Sequence, residues 1–296
     1  LGNKKILRVI NNLGSVDLSI RIKYALEEFS GSIIIPIQHG GHLYGSSKIH
    51  KYSLHTDLFY NYFISWGWSR LKDQAPKSTN VLDLPSPYIS KLINTERRFA
   101  KKIILVSTEE SLIHHRFEHI LTSTQIKKRF EDKTRLIEFF IDNPNIKDFY
   151  FRPYFPSSFN EDYLNEITKM FPKILILKGN LNKQLKKCRY IIIDHPGTTL
   201  NYALALNIPV FMMFKKEDFN LSKTALKIYA KFEDLKILHS NFESFKKFLE
   251  KNQYNPNKYW ESKSVQNIRK EFCSIYATTS DNWIRDFKRI LAFENK

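Results

Sequence analysis

Apolar residues in this chain follow two rhythms. Short runs of β-branched and aromatic residues are apolar at successive positions, as in strands buried on both faces. Longer stretches place apolar residues every three or four positions, as in amphipathic helices. From residue 101 the two alternate regularly. Lys101–Thr108, Phe149–Phe151, Ile174–Leu177, Tyr190–Ile193, Val210–Phe214 and Lys236–His239 read as strands. Between them Thr124–Asn143, Asp162–Phe171, Leu181–Cys188, Leu200–Leu206 and Leu221–Phe232 read as helices. Asn241–Asn252, Val265–Tyr276 and Asn282–Phe293 add three more. Such alternation predicts a parallel, doubly wound α/β sheet. Upstream, Asp17–Phe29 reads as a helix and Gly31–Ile37 as a strand with a proline near its end. Asp57–Trp68 reads as a strand of alternating aromatics. Residues 70–96 are polar and proline-rich and read as an interdomain connection. The expected organisation is an N-terminal α/β domain over 1–96 and a second α/β domain, with the C-terminal helices, over 97–296.

The most informative stretch is Tyr190–Phe214. A buried strand ends in Asp194-His195-Pro196-Gly197, a helix opens at Thr198-Thr199, and Asn207-Ile-Pro209 leads into the next strand. Pro196 stops the strand, and Gly197 permits close backbone approach or a positive φ. The turn falls at the carboxyl end of a parallel strand, where open α/β sheets bind ligands. Two threonines at a helix N-terminus suit a phosphate, because first-turn amides and the helix dipole favour an anion. The same residues also make an ordinary turn with an ordinary threonine cap. A second constellation, Gln38-His39-Gly40-Gly41-His42-Leu43-Tyr44-Gly45, follows a buried strand. A strand-end histidine is well placed as a general base, and the glycines admit a ligand to the backbone. Read blandly, this is a glycine loop with a satisfied histidine. Arg152, just past a strand end, is either a phosphate ligand or a surface ion-pair residue. His114, His115 and His119 lack the carboxylate that would complete a zinc-type site, so no metal is expected. Trp260 and Trp283 read as packing anchors.

Composition narrows the class. The chain has 296 residues, 42% of them hydrophobic and 26% charged, as in globular proteins. No stretch approaches the length of a membrane span, and the first residues do not form a signal peptide. Two cysteines, Cys188 and Cys273, suit a reducing compartment and read as core residues. The formal net charge of +17 points to an anionic partner. The lysines are dispersed and no RNA-binding or zinc-finger spacing appears, so nucleic acid is not expected. A basic enzyme handling nucleotide-activated and lipid-linked substrates at an anionic membrane surface fits better.

With these residues in view, the C-terminal half resembles the nucleotide-binding domain of a GT-B-type glycosyltransferase. More closely, the chain resembles a family of transferases of bacterial surface-polysaccharide synthesis. The matching residues are Gln38–Gly45, Phe63–Trp68, Ile193–Leu200, Asn207–Pro209, Tyr259-Trp260, Val265-Gln266, Arg269, Phe272, Tyr276 and Trp283. Members have a longer region ahead of the Gln38 element, so the resemblance implies two Rossmann-like domains with the first reduced or truncated. Two other groups are similar at motif level. The CMP-sugar transferases for sialic acid or Kdo pair a basic-Pro element with a Ser/Thr pair that holds donor phosphate. Arg152-Pro153 and Thr198-Thr199 would take those places, and His195-Pro196 competes for the first. Teichoic-acid polyol-phosphate transferases carry a His-Gly element resembling His39-Gly40, and a turn resembling Asp194–Thr199.

The resemblance implies a cytoplasmic-side glycosyltransferase, peripheral on the inner bacterial membrane and acting in lipopolysaccharide or capsule synthesis. It would move a sugar, CMP-Kdo-like by preference, from a nucleotide donor to a glycan or lipid-linked acceptor. Gly197, Thr198 and Thr199 would hold donor phosphate, and Arg152 and His195 would neutralise the leaving nucleotide. His39 would act as base, with His42 as a second candidate and Asp57 as base or, in a retaining mechanism, nucleophile in its stead, and Gln38, Gly40, Gly41 and Tyr44 would line the acceptor loop. No cofactor is implied beyond the nucleotide sugar. CDP-polyol phosphate transfer and a non-catalytic binding module are the alternatives.

Overall fold

A computed structural model describes residues 7–11, 18–41, 45–46, 62–69, 79–94, 101–108, 121–154 and 161–292. The chain forms two units. One comprises Leu1–Asn94, Leu221–Ala225 and Phe272–Lys296, the other Thr95–Asn220 and Leu226–Glu271.

In the first unit, β1 (Leu7–Asn11), β2 (Ile33–Ile37), β3 (Tyr62–Ser65) and β4 (Asn80–Asp83) form a parallel sheet in sequence order. α1 (Leu18–Phe29) links β1 to β2, and α2 (Pro87–Ile93) follows β4. Successive strand residues face opposite sides. Ile34 meets Tyr24 of α1, whereas Ile35 clusters with Ile64, Leu84, Phe287 and Ile290. The last two belong to the final helix, α11 (Trp283–Leu291).

Three expectations change here. β1 was not expected at all. Residues 70–96 are not simply a connection, because β4 and α2 lie within them. The prolines there mark a strand-to-helix turn, with Ser86 capping α2 and Pro87 at its first position. The C-terminal helices do not all belong with the second domain. Phe287 and Ile290 cover the apolar face of the first sheet that α1 leaves open. The approach to α11 is stitched there too: the Thr278 amide donates to Trp66 O at 3.0 Å and the Ser86 amide to Thr278 O at 2.8 Å. Of the expected Asp57–Trp68 strand, residues 57–61 lie outside the described residues, and β3 ends at Ser65, where Gly67, at φ +114°, turns the chain.

The second unit is a six-stranded parallel sheet. Its strands are β5 (Lys102–Val106), β6 (Phe149–Arg152), β7 (Leu175–Ile176), β8 (Cys188–Ile193), β9 (Val210–Met213) and β10 (Leu238–His239). Their order is β10-β9-β8-β5-β6-β7. Chain order therefore reverses between β5 and β8, which is the switch point of a doubly wound sheet. The helices are α3 (Ser123–Asp142), α4 (Glu161–Met170), α5 (Leu181–Leu185), α6 (Thr198–Ala205), α7 (Lys223–Asp234, of which 226–234 belong to this unit), α8 (Phe242–Lys251), α9 (Asn257–Trp260) and α10 (Lys263–Tyr276, of which 263–271 belong to this unit). Ile103–Leu105 and Tyr190–Ile193 are fully buried, which is why these strands read as unbroken apolar runs. Trp260 is a packing anchor as expected; its indole N–H donates to Asn207 Oδ1 at 2.9 Å. Among the described residues no helix is long and apolar enough to cross a membrane.

Candidate functional site

β8 delivers Asp194 to the carboxyl edge of the second sheet, beside the end of β5. Asp194 is buried, and four donors surround its carboxylate. Ser107 Oγ donates at 2.8 Å, the Thr108 amide at 2.9 Å, and the Lys133 ammonium sits at 2.8 Å. The fourth, His195 Nδ1, lies 2.9 Å from Oδ1. The Arg129 guanidinium adds a bond to the Asp194 carbonyl oxygen at 3.2 Å. Burial alone would push this carboxyl up. Lys133, the His195 hydrogen bond and the Arg129 charge outweigh it and hold Asp194 well below the usual carboxylate range. Lys133 is itself buried and also donates to Thr108 O at 2.9 Å. One carboxylate thus ties together the ends of β5 and β8 and the inner face of α3, at the point where the sheet order reverses.

A cleft of about 200 Å³ opens beside this knot. α3 supplies one wall with Gln125, Lys128, Arg129 and Lys133; Phe214, Lys215 and Ser240, after β9 and β10, supply another. Four lining residues are cationic and three, Asp132, Asp194 and Asp218, are anionic. The anions are engaged within the wall. Gln125 donates to Asp218 at 2.8 Å, Lys128 lies 3.3 Å from Asp132, and the Phe242 amide bonds Asp132 at 3.2 Å. Arg129 also lies over the Phe219 ring, 5.3 Å from its centroid.

Asp194 also opens the expected phosphate turn, which runs on to Gly197 and the start of α6. Asp194 can only accept at Oδ1, so Nδ1 of His195 carries the proton and Nε2 is left facing Gly197. A Cβ on Gly197 would lie 2.5 Å from that Nε2. Gly197 therefore serves close approach; its φ of −116° is not left-handed. It is also the N-cap of α6 and offers no side-chain cap to the first-turn amides of Thr198 and Thr199.

Arg152 stands two strands away from β8. Val106 pairs with Arg152 on one side and with Ile193 on the other. The Arg152 guanidinium donates to Leu177 O at 2.9 Å, beyond β7, on the side of β6 away from β8. The structure thus brings His195, Gly197, Thr198 and Thr199 together and gives Arg152 a bond facing elsewhere.

In the first unit, Gln38 joins two of the sequence constellations. Its Oε1 accepts from the Trp66 amide at 3.0 Å and the Trp68 indole N–H at 2.8 Å, and its Nε2 donates to Gly40 O. Gly45 packs on the Trp68 ring, where a Cβ would lie 2.4 Å from Cδ1. Gln38 is therefore a buried clamp between the loops after β2 and β3. His39 and Gly40 follow it half-buried, and Gly41 is buried. His42, Tyr44, Asp57 and the His114, His115, His119 cluster lie outside the described residues. Among the described residues no group of three or more His, Cys, Asp or Glu is placed to hold a metal.

The sequence reading missed the α3 wall. The signal was there: Ile126, Phe130, Lys133, Ile137 and Phe140 form one heptad-like stripe, and a lysine inside an apolar stripe needs a buried counter-charge.

The model of the LIC12162 family transferases matches residues 4–291. The chain belongs to this family. No curated protein matches it. Among solved structures, TarM of S. aureus is similar at 12% identity and a TM-score of 0.50, covering 96% of this chain and 54% of TarM. The chain thus spans about half of TarM's length. S. aureus MnaA, solved with UDP, aligns at 14% identity and a TM-score of 0.49 over 98% of this chain and 76% of its own. The wall teichoic acid polymerase TagF aligns at 11% identity and a TM-score of 0.44, covering 89% and 69%. This member of the family has a GT-B-like fold: two α/β units, each built on a parallel sheet.

Proposed function

We propose that this transferase moves a sugar from a nucleotide-activated donor to a hydroxyl of a surface polysaccharide or lipid-linked acceptor. The observation that carries this reading is the cation-lined cleft at the carboxyl edge of the second sheet, beside the turn that opens α6. Donor phosphates meet the α3 cations and Lys215 on one side, and the first-turn amides of Thr198 and Thr199 with His195 on the other. As the bond from anomeric carbon to phosphate breaks, charge grows on the leaving nucleotide, and donors fixed in advance stabilise it. Asp194 touches no substrate in this scheme; it holds His195 and the α3 wall in place. The acceptor oxygen attacks the anomeric carbon and gives up its proton to a general base, for which His39 is our candidate. A cleft of about 200 Å³ holds phosphates and part of a nucleoside, smaller than the roughly 300–1,000 Å³ of a whole ligand pocket. The cationic excess suits a donor with a carboxylate as well as a phosphate, so a CMP-linked acidic sugar is our first choice. Activity at an anionic membrane face is part of the same reading and rests on the net charge of +17.

A thermal-shift panel of CMP, CDP, UDP, GDP and dTDP tests this reading. A bound nucleotide at a hundredfold its Kd adds about 2.7 kcal/mol, which corresponds to roughly 5–10 °C for a unit of this size. The rise should vanish in the Lys128→Gln/Arg129→Gln variant. Preference for CMP supports the acidic-sugar donor, and preference for UDP or GDP points to hexose transfer. No response to any of the five rejects the donor site.

A further inference from the structure

His39 stands at the start of a glycine loop. Gly40 and Gly41 follow it directly, and a glycine loses more conformational freedom on ordering than any other residue. A base on such a loop is useful only if something holds the backbone, because a misplacement of about 1 Å can cost about a hundredfold in rate. Gln38 supplies the hold. Its amide carries the β2–β3 pairing one residue past β2 by donating to Ile64 O at 2.8 Å. Its side-chain Nε2 reaches past residue 39 and donates to Gly40 O. The backbone is thus fixed on both sides of His39, and both bonds come from Gln38.

The Gln38 carboxamide can do this because it is itself anchored. The Trp66 amide and the Trp68 indole N–H converge on Oε1 at 3.0 and 2.8 Å, which leaves Nε2 to serve the loop. Buried Ser65 shapes that pair: its hydroxyl donates to Trp68 O and accepts from the Gly67 amide at 3.3 Å. The Trp68 ring also receives Gly45, so one indole meets both ends of the Gln38–Gly45 stretch. Just beyond, Ser46 O accepts from the Ser222 amide at 2.7 Å. Ser222 is buried, and its hydroxyl accepts from the Ala225 amide at 3.2 Å at the start of α7. All of these residues belong to the first unit. Glutamine suits the place because one planar group offers an oxygen for two donors and a donor for Gly40. Glutamate lacks the donor, and asparagine is a methylene shorter.

We infer that Gln38 is the positioning residue of His39: a carboxamide locked on Trp66 and Trp68 sets where the imidazole stands. The inference rests on the reading of His39 as general base. It gives Gln38 a part in turnover that is separate from the stability of the clamp.

The imidazole Cε1–H resonance of His39 tests this on the full chain, at about pH 9, where an imidazole of ordinary pKa is neutral. The resonance is the one lost in His39→Asn. Gln38→Glu keeps an oxygen for Trp66 and Trp68 but puts an acceptor where Gly40 needs a donor. Ser65→Ala breaks the same knot elsewhere and leaves every Gln38 bond in place. The His39 resonance should shift and broaden in Gln38→Glu and keep its wild-type position in Ser65→Ala, while the Trp68 indole N–H signal persists in both. Gln38→Met, which adds no charge, should shift it likewise. With a CMP-linked acidic sugar as donor, CMP release should fall at least about tenfold in Gln38→Glu at unchanged KM, and Ser65→Ala should keep its rate. An unmoved His39 resonance in Gln38→Glu, an equal displacement in Ser65→Ala, or a Gln38→Glu enzyme of full rate overturns the inference. A wild type that leaves the donor intact counts against the transfer reading instead, and the resonance still decides whether Gln38 places His39.

Discussion

Asp194 is the residue whose surroundings decide the most. A buried carboxylate with four donors is stable only while all of them stay in place, and removing one side of such a pair costs about 3–5 kcal/mol. Asp194→Asn leaves the Lys133 ammonium buried against an amide. Lys133→Met, by contrast, leaves Asp194 with Ser107, the Thr108 amide and His195. Chemical denaturation should therefore find Asp194→Asn the more damaging, by about 3–5 kcal/mol against wild type; the opposite order would show that Lys133 is the hub. The pH dependence has a definite sign. The folded carboxyl lies below its ordinary value of 3.8, so its contribution is present above that pH and lost as acid takes the protein below it. Acid unfolding below about pH 4 should flatten in Asp194→Asn. Asp194 was visible in the sequence only as the first residue of a turn, because its donors come from residues 86, 87 and 61 positions away, besides its neighbour His195. No local pattern encodes that convergence.

At the scale of elements, apolar rhythm located nearly every strand and helix of the second unit to within a residue or two. It did so because fully buried parallel strands are unbroken apolar runs, and the turns between them carry Pro, Gly or Asn. In the first unit the same rule found α1 and β2 but missed β1, β4 and α2. β1 begins only at Leu7, and its Leu-Arg-Val-Ile-Asn run has a charge inside it, as suits the edge strand of a sheet. The Gln38 and Trp66–Trp68 constellations were each legible, but not their union, since 30 positions separate Gln38 from the Trp68 indole it accepts from. That union is strong. Gln38→Leu would strand the Trp66 amide and the Trp68 indole N–H in the core, at about 1–3 kcal/mol each. Gly67→Ala is expected to be at least as harmful, because φ is +114° and a Cβ would lie 1.9 Å from Thr278 Oγ1. Thermal melts of the two variants should show losses of several degrees or more, and a silent Gln38→Leu would refute the clamp.

At the scale of the whole molecule, sequence order and structural membership part company. An amphipathic helix announces an apolar face but not the sheet it will cover, so α11 read as a continuation of the helices before it. The structure gives it to the first unit, where Phe287 and Ile290 cover Ile35, Ile64 and Leu84. Those three residues are at most 3% exposed. Removing α11 would return one face of a four-stranded sheet to water, and each large aliphatic residue uncovered forfeits about 1.5–3 kcal/mol. That is a large part of the stability of any small domain. The second sheet loses none of these contacts. A chain ending at Asp281 should therefore show fast amide hydrogen exchange in β2, β3 and β4, while β5, β8 and β9 stay protected as in the full protein. Thr278 and Ser280 remain in that chain, so their bonds to Trp66, Ser86 and Ser90 are not what is being removed. Uniform loss of protection in both sheets would mean that the units do not fold separately. Unchanged protection in both would mean that the cover supplied by Phe287 and Ile290 contributes little.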